Sequence, residues 1–208
     1  MPGRSRPRYL SRPEWTSSAG DEVADLSAQA GLILDDEQRL ILDVMFAERG
    51  NRWAAREVAV IQPRQNGKTV TFEAACLGDL FLFGGPEQLI IWTAHLFPTA
   101  NEAFIDLKAL IDGAGFLSRR VRRVTEAAGN QGIELIDGTR LKLLARSKSG
   151  GRGFSGAKVY LDEAFALTPQ MMGALLPTLS ARDNPQLWYT SSAPMSTSVV
   201  LHNVLQRG

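Results

Sequence analysis

Val58-Ala-Val-Ile-Gln-Pro-Arg-Gln-Asn-Gly-Lys-Thr69 joins a β-branched run to an apolar-periodic segment through a compact polar loop. Val58, Val60 and Ile61 read as a buried strand, Pro63 breaks it, and Gly67-Lys68-Thr69 opens a helix. Strand, loop and helix in that order are what a phosphate-binding P-loop requires. In such a loop, here Gln62, Pro63, Arg64, Gln65, Asn66 and Gly67, backbone N–H groups turn inward at a helix N-terminus. Lys68 then reaches the β- and γ-phosphates, and the Thr69 hydroxyl ligates Mg²⁺. The usual pattern begins with glycine, and Gln62 stands there instead.

Binding a nucleotide is not yet hydrolysing it; that needs a metal carboxylate and a group that activates water. Val159-Tyr-Leu-Asp-Glu163 supplies both at the end of an apolar strand, where open α/β sheets place their ligands. Asp162 is the candidate Mg²⁺ carboxylate beside Thr69, and Glu163 the candidate general base. Thr190-Ser191-Ser192 ends a later strand next to it, with hydroxyls placed to sense the γ-phosphate or its water. Gln38, just inside a helix ahead of the P-loop strand, offers a two-faced amide suited to an adenine edge.

The 208 residues suit one α/β domain with a short arm. Residues 1–20 carry Arg4, Arg6, Arg8 and Arg12 among prolines and read as a basic, mobile arm; residues 21–208 form the domain. A net charge of +1 gives no global field toward nucleic acid, so any basic surface is local. One such run is Arg119-Arg120-Val-Arg122-Arg123, and charge runs are usually solvated faces. The lone Cys76 excludes a disulfide framework and reads as a buried thiol. No apolar run approaches the length of a membrane span.

Alternating helices and strands predict a mostly parallel sheet with crossovers: a helix from Asp36 to about Glu48, then the P-loop unit, then a strand at Leu89–Ala94 and a helix to Asp112. Ile133–Ile136 and Thr139–Leu144 flank Asp137-Gly138, which predicts an added hairpin with a type I′ turn. His95 and His202 are isolated from any metal-ligand spacing, Trp92 and Trp188 read as core, and the tryptophans form no stacking ladder.

Gln62-Pro-Arg-Gln-Asn-Gly-Lys-Thr69, with Arg64 inside the loop, resembles the deviant Walker A motif of the large terminase subunits of tailed bacteriophages. Leu161-Asp-Glu163 as Walker B, Thr190-Ser-Ser-Ala-Pro194 as coupling segment and the upstream Gln38 match that family's pattern as well. The resemblance spans about Leu32 to Pro194. It implies a RecA-like P-loop NTPase of the additional-strand (ASCE) class, an ATP- and Mg²⁺-dependent motor acting on double-stranded DNA. Homo-oligomeric ring assembly, a portal protein, a small terminase subunit and a host-cytoplasmic location are implied with it. Arg64 would contact the γ-phosphate. Arg152, in the glycine-rich loop 147–156, would be an arginine finger to a neighbouring subunit, with Arg146 the alternative. The chain ends at Gly208, soon after the coupling segment, so nuclease activity is not expected of it. Two other readings stay open: a helicase-like remodelling ATPase, and a nucleotide-dependent assembly subunit without useful turnover.

Overall fold

In the computed structural model, residues 7–63, 67–86, 88–127, 129–145, 156–180 and 182–207 are described. The chain begins with β1 (Ser17–Ser18), α1 (Gly20–Gln29) and α2 (Asp36–Met45), followed by β2 (Ala47–Arg49) and β3 (Arg52–Trp53). The strands β1, β2 and β3 make a small antiparallel sheet in that order. At the end of the expected arm, Thr16 and Ala19 are hydrogen-bonded to the backbone of Glu48 and Phe46. One expectation is corrected here. The helix ends at Met45, since the chain turns at Phe46 to give β2 a partner in β1.

The main sheet uses β4 (Glu57–Ile61), β5 (Leu89–Ala94), β6 (Val121–Thr125), β7 (Gly132–Leu135), β8 (Arg140–Ala145), β9 (Lys158–Leu161) and β10 (Gln186–Ser191). Its helices are α3 (Lys68–Phe81), α4 (Phe97–Gly113), α5 (Gly115–Ser118), α6 (Pro169–Ser180) and α7 (Val199–Arg207). The strand order is β4-β10-β9-β5-β8-β7-β6, parallel from β4 to β8 and antiparallel beyond. One strand, β10, thus lies between the P-loop strand β4 and the acidic strand β9. That insertion defines the additional-strand class and bears out the expected fold. The P-loop strand itself sits at the sheet edge, so it is half-buried rather than buried.

Strands buried on both faces read as continuous apolar runs. β5, β9 and β10 are buried along their whole length. Their side chains alternate between two cores. Ile90, Trp92, Tyr160 and Trp188 face the core shared with α1–α4, while Ile91, Val159, Leu161, Leu187 and Tyr189 face the one shared with α6 and α7. The register sets Trp92 beside Tyr160 and Tyr160 beside Trp188. The two tryptophans are core, as expected, but they form a cross-strand aromatic row with Tyr160 that only the register creates. Phe72 of α3 packs edge-on over it.

The hairpin is present, with a different turn. Gly138 N–H donates to the Leu135 carbonyl, and Gly138 alone of the turn has a positive φ, 92°. A type I′ turn needs positive φ at both central residues, and Asp137 lacks it. The arginine run also finds its place: Val121–Thr125 is the edge strand, with Arg122 and Arg123 paired to Glu134 and Arg120 to Asp137. Among the described residues no helix is long and apolar enough to cross a membrane.

Candidate nucleotide site at the strand ends

Parallel strands put their carboxyl ends on one edge, and here four of them are stitched together. Gln62 N–H, just past β4, donates to the Ser191 carbonyl of β10 at 3.0 Å, and Asp162 N–H, past β9, donates to the Thr93 carbonyl of β5 at 2.9 Å. Side chains finish the join, since Thr190 Oγ1 donates to Asp162 Oδ1 at 2.7 Å. Gln62, Asp162 and Thr190, which the sequence singles out, therefore meet at the same edge.

On the loop side, Gly67 is the N-cap of α3 with φ 71°, and a Cβ there would meet Gln38 Nε2 at 2.5 Å. The positive φ favours glycine, and a larger residue would also have to displace the Gln38 amide. Among the described residues no side chain caps α3, and its first turn holds no acid. A helix N-terminus of that kind suits an anion, which the helix dipole also favours. Lys68 Nζ donates to the carbonyls of Gln62 (3.1 Å) and Pro63 (2.6 Å), which holds the ammonium across the mouth of the loop. Gln38 is buried and fixed by a reciprocal capping box with Asp35, and its Nε2 reaches the Gly67 carbonyl at 3.4 Å. Gln62 Nε2 donates to Glu37 Oε1 at 2.9 Å, while its buried Oε1 has no hydrogen-bond partner among the described residues. Thr69 is half-buried on the first turn of α3. Arg64, Gln65, Asn66, Arg146 and Arg152 lie outside the described residues.

On the acidic side, Asp162 is 7% exposed and its Oδ1 accepts from both Thr190 Oγ1 and the Glu163 N–H (2.8 Å). Those two bonds fix the carboxylate plane. Glu163 has φ 53° and ψ 47°, the one described non-glycine residue at positive φ. A left-handed glutamate costs about 1–2 kcal/mol and persists only where its surroundings impose it. Its Oε2 accepts from Leu96 N–H at 3.3 Å, in the loop that follows β5. Ser191 Oγ accepts from Phe165 N–H at 3.0 Å, so the predicted hydroxyls divide their work: Thr190 orients the aspartate, and Ser191 the turn after it. His95 lies beside the same turn, its ring edge-on to Phe165 at 6.3 Å.

Three residues of the site were not singled out from the sequence. Asp35 was findable, because Asp-x-x-Gln ahead of an apolar run is a capping-box signal. Glu37 and the Leu96 N–H carry no comparable signal.

Hard oxygen donors, the Thr69 hydroxyl and the Asp162 carboxylate, suit Mg²⁺. The α3 N-terminus with its left-handed glycine and Lys68 suits a polyphosphate.

No protein-family model matches the sequence, and no curated protein does. Solved structures do match. The large terminase of bacteriophage HK97 superposes with a TM-score of 0.76 at 17% identity, over 91% of this chain and 42% of its own. The ATPase domain of the Thermus phage P74-26 large terminase gives 0.63 at 17% identity, over 91% of this chain and 73% of its own. The large terminase of another thermophilic bacteriophage, solved in complex with ADP, gives 0.50 at 17% identity over 65% of this chain and 33% of its own. The chain thus spans about two fifths of the HK97 protein and about three quarters of the isolated P74-26 domain. It has the fold of a phage large-terminase ATPase domain.

Proposed function

We propose that this chain is the ATP-hydrolysing motor domain of a viral DNA-packaging terminase, coupling Mg-ATP hydrolysis to movement of double-stranded DNA into a procapsid. The observation that carries the reading is the acidic turn: Asp162 and Glu163 leave the strand end together, one oriented by Thr190 and the other held in a left-handed conformation beside Leu96. A regulatory nucleotide switch has less need of that second, strained carboxylate.

In this mechanism the α3 N-terminus and Lys68 bind the β- and γ-phosphates, and Gln38 reads the adenine from the α2 end of the loop. Bound by the Thr69 hydroxyl and Asp162, Mg²⁺ would supply neutralising charge on the phosphate oxygens. Glu163 orients the attacking water and accepts its proton. Thr190 and Ser191 hold both carboxylates relative to the γ-phosphate. Arg64, in the loop, and Arg152, offered from a neighbouring subunit of a homo-oligomeric ring, would meet the charge on the transferring phosphoryl group; such fingers contribute about 10³–10⁵ in rate. The partners that go with this reading are duplex DNA, a portal protein and a small terminase subunit, met in the host cytoplasm.

The test is phosphate release across protein concentration, with and without unrelated DNA duplexes over a salt series. Mg²⁺-dependent release, stimulated by duplexes of any sequence and weakened steeply by salt, is expected for a motor that grips the phosphate backbone. Turnover unaffected by DNA at every concentration would count against a packaging motor.

A further inference from the structure

Ser198 belongs to no motif. It closes the Met195-Ser-Thr-Ser198 turn and immediately precedes α7, yet it is fully buried. Its hydroxyl accepts from the Met195 N–H at 3.0 Å and donates its single proton to the Phe165 carbonyl at 2.7 Å, a full-strength O–H···O distance. We infer that Ser198 is a positioning residue for Glu163, acting through the Phe165 peptide group; this rests on Glu163 being the general base.

Phe165 sits two residues past Glu163, inside the 3₁₀ turn Ala164–Ala166 that carries the left-handed glutamate. Hydroxyls from two separate elements grip its backbone. Ser191 Oγ, from β10, takes its N–H at 3.0 Å, and Ser198 Oγ, from the base of α7, holds its carbonyl. The turn closes on itself through Ala166 N–H to the Glu163 carbonyl and Leu167 N–H to that of Ala164, both at 3.1 Å. Upstream it is fixed by Asp162, whose N–H is bound to Thr93.

Ser198 is itself anchored. Its N–H donates to the Met195 carbonyl at 2.9 Å, His202 Nε2 reaches the same carbonyl at 3.0 Å, and His202 N–H donates to the Ser198 carbonyl at 3.0 Å. The hydroxyl therefore projects from the residue that leads into a helix and is tied to it. Without it the turn loses its grip on the α7 side. Glu163 can then leave the left-handed well, and its carboxylate swings away from Leu96 and from the attacking water. Among the described residues Ser198 itself bonds only within its own turn, to α7 and to the Phe165 carbonyl, on the acidic side and away from Gly67 and Gln38, so its loss should bear on turnover more than on nucleotide binding.

That separation makes the inference testable by steady-state kinetics and equilibrium ATP binding on the whole chain. Ser198→Ala should keep ATP affinity within about twofold of the parent while kcat falls ~10–100-fold, the penalty expected for a misplaced catalytic group. Ser198→Cys, close in shape with a weaker donor, should fall between the two, and serves alone if the alanine variant does not fold. Glu163→Gln, run in parallel, keeps the two claims apart. Parent-like turnover in Glu163→Gln removes the base assignment, and the inference with it. If Glu163→Gln is inactive while Ser198→Ala and Ser198→Cys turn over like the parent, only the positioning role is overturned. A Ser198→Ala variant that loses ATP affinity as far as it loses kcat would also overturn it, since that is how a merely structural residue behaves.

Discussion

Glu163 and Glu73 show how far two glutamates can diverge by placement. Glu163 is half-exposed in a left-handed turn, ready for water. Glu73 lies one helical turn past Lys68–Thr69 on α3, with only 4% of its surface exposed. Burial, and then the nearby Asp106 carboxylate, push its pKa from 4.5 to about 7. The folded protein thus binds this proton more tightly than the unfolded chain does. Stability from the neutral carboxyl is present below pH 4.5 and is lost as pH rises toward 7 and beyond. Glu73→Gln should remove that loss: between about pH 5 and pH 8 the parent should lose up to about 3 kcal/mol relative to the variant, at roughly 1.4 kcal/mol per pKa unit. Denaturant unfolding at both pH values measures it, and identical pH slopes would refute it. At this scale the sequence pointed to the candidate groups for chemistry. Lys68, Asp162 and Thr190 are recognisable because phosphate and metal chemistry demands their types at strand ends. Ser198, Leu96 and Glu37 were not, because their roles come from partners 33, 67 and 25 residues away.

Among the elements, periodicity found the central strands and could not order them. Leu89–Ala94 reads as a buried strand and the run from Gln186 to Pro194 as a strand running into a polar turn; the first is buried as read, and the second is a strand over Gln186–Ser191. The insertion of β10 between β4 and β9 follows from pairing across more than a hundred residues. The same order leaves β4 at the edge and makes β6 the far edge, where the local sequence offered only a charge run. Asp137-Gly138 announced a hairpin, but the turn type depended on which residue took the left-handed conformation. Register also builds a polar knot that no local pattern announces. Lys158 Nζ, at the start of β9, lies 3.1 Å from Asp79 Oδ1 of α3, 2.7 Å from Gln186 Oε1 and 3.7 Å from the Trp53 ring centroid. Tyr160 donates to the other Asp79 oxygen, and Gln186 Nε2 ties the knot to the carbonyls of Met45 and Ala55. Burial pushes the Lys158 pKa down and that of Asp79 up, each against the pull of its partner. Removing one charge should therefore hurt more than removing both. Lys158→Met should cost about 3–5 kcal/mol in denaturant unfolding by stranding the Asp79 carboxylate. Lys158→Met combined with Asp79→Leu should recover part of it. A double variant less stable than the single one would show that the pair stabilises the domain outright.

Over the whole molecule, these elements bring four strand ends to one edge and leave the polar knot at the opposite end of β9. The loop side holds Gln38, Gly67 and Lys68; the acidic side holds Asp162, Glu163 and Thr190; the Gln62–Ser191 hydrogen bond joins the halves. Binding and hydrolysis are thereby assigned to different strands and should separate by substitution. The direct measurement is ATP retention and phosphate release by Lys68→Ala and Glu163→Gln side by side. Lys68→Ala should lose tight nucleotide binding, since the cation held across the loop is gone. Glu163→Gln should bind Mg-ATP like the parent and release phosphate at least about 100-fold more slowly, as expected when a general base is removed. Parent-like phosphate release by Glu163→Gln would contradict the assignment of hydrolysis to this turn.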